Sequence, residues 1–136
     1  MKIRIEDGLP FVTVSLCYQQ DEIKLRQVIL DTGSAGTIFK YNKVKTIGIQ
    51  QESEDEIHRI SGVGGKEFVF VKRLECLILG NAVVNGFDVE IGTMDYGFQI
   101  DGILGLDFLS KIGAIINLKK FEIYLPNQIF DPYNKK

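Results

Sequence analysis

One stretch of this sequence carries chemistry in its residue types: Val28-Ile29-Leu30-Asp31-Thr32-Gly33-Ser34. Three consecutive apolar residues read as a strand buried on both faces, and that strand delivers a carboxylate into a tight turn. Burying Asp31 is costly unless its charge is hydrogen-bonded or shared. Gly33 lets backbone approach closely, while Thr32 and Ser34 offer hydroxyls. An aspartate so placed suits general acid and base work on water. It equally suits a turn acid that bonds its own backbone, or a phosphate-binding hairpin; the hairpin needs two large lobes around a nucleotide, which 136 residues do not supply. Other reactive groups are sparse. His58 is the single histidine, so neither a zinc site nor a Ser/His triad has support. Cys17 and Cys76 lack metal-ligand spacing and sit in strand-like apolar runs, which predicts two buried free thiols. No metal or cofactor is expected.

Two later segments change the odds between these readings of Asp31. About thirty residues on comes Ile60-Ser61-Gly62-Val63-Gly64-Gly65-Lys66, a glycine-rich tip between strand-like flanks. Then Ile100-Asp101-Gly102-Ile103-Leu104-Gly105-Leu106-Asp107-Phe108-Leu109 brings an apolar-apolar-glycine strand end into a short helix. In this order the three segments resemble the retropepsins, the single-lobe aspartic proteases, from roughly Phe11 to Leu125. The resemblance implies that Asp31 is the catalytic aspartate and that Thr32 bonds across to a second copy of the turn. It makes Gly33 the close-approach glycine and Ser34 the small residue that follows. Residues 58 to 68 become a flap over substrate, with Ile60, Gly62, Val63, Gly64 and Gly65 at its substrate-facing tip. Ile103, Leu104 and Gly105 brace the catalytic loop from behind. Asp101 precedes that wall, where an acid would favour a basic side chain in substrate; a plain turn acid at Asp101-Gly102 is the competing reading.

The match is not complete. Retroviral enzymes commonly pair an arginine after the apolar-apolar-glycine with an acid after the catalytic glycine, and here those places hold Leu106 and Ala35. Both partners are absent together, so a hydrophobic contact is expected in their stead. In this respect the chain is more similar to cellular retropepsin-like domains of the Ddi type, whose Gly-Leu-Asp helix start it shares. Aspartic proteolysis needs two carboxylates in contact sharing one proton. This sequence holds one Asp-Thr-Gly, so the resemblance implies a homodimer that pairs Asp31 with Asp31, with a peptide or protein as substrate. Other readings are a latent protease that needs a further factor, or a catalytically silent dimerisation or peptide-binding module on the same fold.

The elements that must position these groups are mostly strands. Alternating or apolar segments recur at Phe11 to Leu16, Ile23 to Gln27, Lys66 to Val71, Arg73 to Leu79, Ala82 to Ile91, Ala114 to Leu118 and Phe121 to Leu125, with turn signals between them. That pattern predicts an all-β fold, and the resemblance narrows it to a small closed barrel with one short helix. Leu106 to Ile112 reads as that helix, stopped by Gly113, and Tyr41 to Ile47 as a weaker one stopped by Gly48. The acidic run Gln50 to Glu56 reads as a solvated loop. One domain is expected over residues 1–125, with a partly disordered tail at 126–136. The formal net charge of -2 without a basic cluster gives no footprint for nucleic acid or for an anionic membrane. Arg4, Glu6, Asp7 and Pro10 interrupt any signal-like apolar run near the start, which predicts a cytoplasmic protein.

Overall fold

A computed structural model describes residues 1–62 and 65–125, and the backbone of 129–130. Alternation of apolar and polar residues sets the long strands β2 (Leu9–Tyr18) and β3 (Asp21–Leu30), which follow a short β1 (Arg4–Glu6). Beyond the Asp-Thr-Gly turn come β4 (Ile38–Lys40), α1 (Tyr41–Val44) and a single 3-10 turn over Lys45–Ile47. This turn ends at Gly48, whose φ of 91° is the left-handed conformation expected of a stop glycine. The glycine-rich tip joins β5 (Ile57–Gly62) to β6 (Gly65–Leu79), and β7 (Ala82–Gly92) runs back along β6. Last come β8 (Gly102–Leu104), α2 (Leu106–Lys111), β9 (Ile115–Asn117), β10 (Glu122–Tyr124) and β11 (Ile129–Phe130).

Six strands close a barrel in the order β2-β3-β8-β4-β7-β6, and β6 returns to β2 through Ser15↔Ile78, Leu16↔Leu77 and Cys17↔Cys76. This closure overturns the expectation of free thiols: Cys17 and Cys76 form a disulfide, with Cα atoms 4.9 Å apart. Distance along the chain concealed a register that puts the two residues directly opposite on antiparallel strands, within the usual bridging range. The main core fills the barrel with Leu16, Phe39, Leu74, Leu77, Ile91, Leu104 and Phe108, all fully buried. A second apolar cluster of Phe11, Ile29, Ile38, Val69, Met94 and Ile100 lies outside it.

Residues 1–3 are tied to residues 121–123. Ile3 N–H donates to Phe121 O at 2.8 Å and Ile123 N–H to Met1 O at 2.9 Å, which adds the first residues to the β9–β10 hairpin. Within the tail, β11 pairs in parallel with β7; the remaining residues of 126–136 lie outside the described ones. Among the described residues no helix is long and apolar enough to cross a membrane. The 50–56 loop is largely exposed, yet two of its acids, Glu52 and Asp55, reach the buried Lys72 ammonium on β6, Asp55 at 2.9 Å.

Candidate active site

β8 does the positioning. It lies between β3, which it pairs in parallel from Val28↔Gly102 to Leu30↔Leu104, and β4, which it pairs antiparallel. The strand that delivers Asp31 and the strand that leaves its turn are therefore both fixed to one three-residue segment. Asp31 N–H donates to Leu104 O at 3.0 Å, and Leu106 N–H donates to Ser34 O at 2.7 Å, so the turn is bonded to β8 and α2 on both sides. Gly105 makes this approach possible: a Cβ there would sit 2.2 Å from Gly36 O and 2.7 Å from Ser34 O. Glycine is required because backbone, not a movable side chain, occupies the space.

Within the turn, Gly33 N–H donates to Asp31 Oδ1 at 2.9 Å and aims the carboxylate. Ser34 N–H donates to Asp31 O at 3.1 Å, and Ser34 Oγ donates to Gly36 O at 2.7 Å. Asp31 is half-buried, while Thr32 and Ala35 are exposed. Leu106, which stands where the retroviral arginine would, is 50% exposed. A polar brace lies behind the turn. Thr37, buried to 1% exposure, donates its hydroxyl to Asp107 Oδ1 at 2.8 Å and accepts Gly105 N–H at 3.0 Å. Neither Thr37 nor Asp107 was singled out from sequence as a site residue, because a threonine before a strand and an acid early in a helix carry no distinguishing pattern.

Asp31, Gly33 and Ser34 open onto a cleft of about 1010 Å³ that Ile60 and Ile103 also line. The second apolar cluster floors it through Ile29, Ile38 and Ile100. Leu104 and Gly105 stand behind the turn, away from the lining. Gly62 and Gly65 face each other as the last pair of the β5–β6 hairpin; Val63 and Gly64 lie outside the described residues. Asp101 does not line the cleft. It is 5% exposed, its Oδ2 accepts Gln27 N–H at 3.1 Å, and its Oδ1 lies 3.7 Å from Lys43 Nζ, so it ties β3 to α1 below the site. The cleft has further charged members: His58, at the start of the 58 to 68 segment, and Glu56, Asp88 and Glu90, which sequence reasoning missed; among its described lining residues there is no lysine or arginine. These residues come from β5, β7 and the loop between α1 and β5, and only the β5–β6–β7 register brings them together.

The β6 arm of the hairpin is secured through Glu67. Its carboxylate accepts Tyr96 Oη–H at 2.8 Å and Thr93 Oγ1–H at 2.9 Å. Burial, and then the bond to Glu67, push the Tyr96 phenol far above its ordinary value, so it stays a donor. Among the described residues no group of three or more His, Cys, Asp or Glu is placed to hold a metal ion.

Comparison with known proteins agrees with this construction. No curated protein matches the chain. Its fold is similar to the crystal structure of a retropepsin-like aspartic protease from Rickettsia conorii, with a TM-score of 0.63 and 19% identity over 91% of this chain and 86% of that one. Residues 15–108, well over half of the sequence, match the aspartyl protease family. With the Asp-Thr-Gly turn braced by β8 and facing a cleft beside the hairpin, this chain belongs to the aspartyl protease family and has the retropepsin-like fold.

Proposed function

We propose that this protein is an aspartic endopeptidase whose catalytic pair is Asp31 from each of two copies. The observation that carries the reading is Asp31 itself, a carboxylate aimed by Gly33 N–H into a cleft large enough for peptide side chains. In the paired site two like charges in contact do not both ionise, so the dyad holds one proton between two oxygens. The ionised Asp31 takes a proton from a water held between the two residues as that water attacks the peptide carbonyl. The protonated Asp31 donates toward the carbonyl oxygen, and a proton then reaches the leaving nitrogen. Substrate lies extended across the dimer, bonded through its backbone like an added strand, with alternate side chains in the two clefts.

Exposed Thr32, Ala35 and Leu106 surround Asp31 and suit contact with a second copy around a two-fold axis. The bonds of residues 1–3 to residues 121–123 within one chain mean that the dimer need not interleave its termini. Incubating the protein with a mixed peptide library, with and without a statine-type inhibitor, tests the activity. Cleavage that the inhibitor stops is the expected result. A folded dimer with no cleavage, and with the two Asp31 side chains far apart, would favour the silent binding module.

A further inference from the structure

Two side chains of the β5 arm meet the cleft wall: Ile60 packs against the second apolar cluster, and His58 makes the polar contact. His58 sits opposite Val69 of β6, and Glu90 of β7 sits opposite Val71. Directly paired residues and residues two apart share a face, so His58 and Glu90 lie on the same side of the sheet with β6 between them. His58 Nδ1 is 3.0 Å from Glu90 Oε2, and Nε2 is 3.1 Å from Glu56 Oε2. Carboxylates only accept hydrogen bonds, and a neutral imidazole has one donor nitrogen and one acceptor. Both contacts are satisfied together only by the imidazolium.

Glu90 carries this contact to the catalytic turn. Its Oε1 would be 2.7 Å from a Cβ placed on Gly36, and its backbone N–H donates to Thr37 O at 2.9 Å. We propose that His58, as an imidazolium, is the positioning residue that fastens the β5 arm of the flap to the cleft wall, so that access to Asp31 follows the charge of this ring.

The surrounding charges reinforce that dependence. Asp31 from the turn, Asp107 from α2, Glu56 ahead of β5, and Asp88 and Glu90 from β7 line the same cleft, and protonated His58 is the one cation among its described lining residues. Asp88 is paired with Arg73 of β6 at 2.8 Å, outside the lining. Loss of the proton leaves Glu56 and Glu90 facing each other across a neutral ring. The bond from Glu90 raises the imidazole above its ordinary value, desolvation works against it, and Glu56 adds to the rise. A raised folded value means that the fastening is complete below about 6.5, the ordinary imidazole value, and is lost as pH climbs through the folded one.

This role rests on the flap reading of the hairpin, but its test does not need turnover. Because His58 is the single histidine, its ring resonance in an NMR titration of the full chain is unambiguous. The expected result is titration above the ordinary value, and a lower value in Glu90→Gln. Hydrogen exchange of residues 57–62, corrected for intrinsic rates, should quicken through the same pH window in the native chain and lose that step in His58→Gln. Titration at or below the ordinary value, no response to Glu90→Gln, or exchange without a step would each overturn the proposal. With a cleaved peptide, KM should rise several-fold through the window while kcat holds. A protein that shows the titration and the exchange step yet cleaves nothing would refute the protease reading and leave the fastening intact.

Discussion

Thr37 shows how a buried hydroxyl can brace a turn from behind. It satisfies one donor, Gly105 N–H, and one acceptor, Asp107 Oδ1, on the far side of the Asp-Thr-Gly turn. Thr37→Val keeps the shape and removes both bonds, leaving Gly105 N–H unpaired in the interior. The expected cost is about 1–3 kcal/mol in a urea unfolding curve. Thr37→Ser should recover most of it. Asp31→Asn should leave that curve nearly unchanged while peptide cleavage falls by at least ~10³-fold, the scale of a lost general acid–base function. Asp31 was legible in the sequence because an apolar strand running into Asp-Thr-Gly is a dense local signal. Thr37 was not, since its meaning depends on Gly105 and Asp107, which are distant in sequence. Asp101 illustrates the opposite error. Its neighbourhood in sequence pointed to the cleft, while its side chain points to Gln27 and Lys43.

Among the elements, β8 and β6 carry the greatest structural burden. Gly105→Ala at the end of β8 drives a methyl group into the backbone of residues 34–36. Overpacking of this kind costs about 1–3 kcal/mol, so a fall in the thermal midpoint and a displaced Asp-Thr-Gly turn are expected. β6 is one uninterrupted strand whose first residues form an arm of the β5–β6 hairpin and whose last residues close the barrel, where Cys76 meets Cys17. Linking residues 59 apart in sequence removes about 4 kcal/mol of freedom from the unfolded chain on the entropy account, an upper figure for the loss in a Cys17→Ser, Cys76→Ser variant. The strands themselves were readable from alternation. The bond was not, because alternation fixes which face a residue takes and says nothing of which strand lies opposite. A cytoplasmic chain would keep these residues as thiols. Alkylation after acid quenching, counted by mass, should find neither cysteine modified in the isolated protein; two modified cysteines would support the cytoplasmic expectation instead.

At the scale of the whole molecule the prediction concerns assembly. Leu106 is half exposed beside the Asp-Thr-Gly turn and accepts no hydrogen bond through its side chain, so it can be changed without opening the core. Leu106→Asp should place two carboxylates near the axis of the proposed dimer, shift sedimentation to the monomer, and abolish cleavage with native circular dichroism retained. A dimeric and active Leu106→Asp protein would move the interface elsewhere.

The insertion of β8 between β3 and β4 also bears on the order in which the molecule is built. Asp31 and Thr37 lie early in the chain, but the residues that hold their turn are Gly102 to Asp107; the Thr37–Asp107 bond spans 70 positions. Contacts so distant in sequence are slow to form, because a long loop must close before they contribute. A chain growing from the ribosome therefore exposes its Asp-Thr-Gly long before it can brace it. A fragment ending at residue 101 should contain the aspartate and lack an ordered turn, so the nascent protein gains its proposed hydrolytic centre only as folding nears completion.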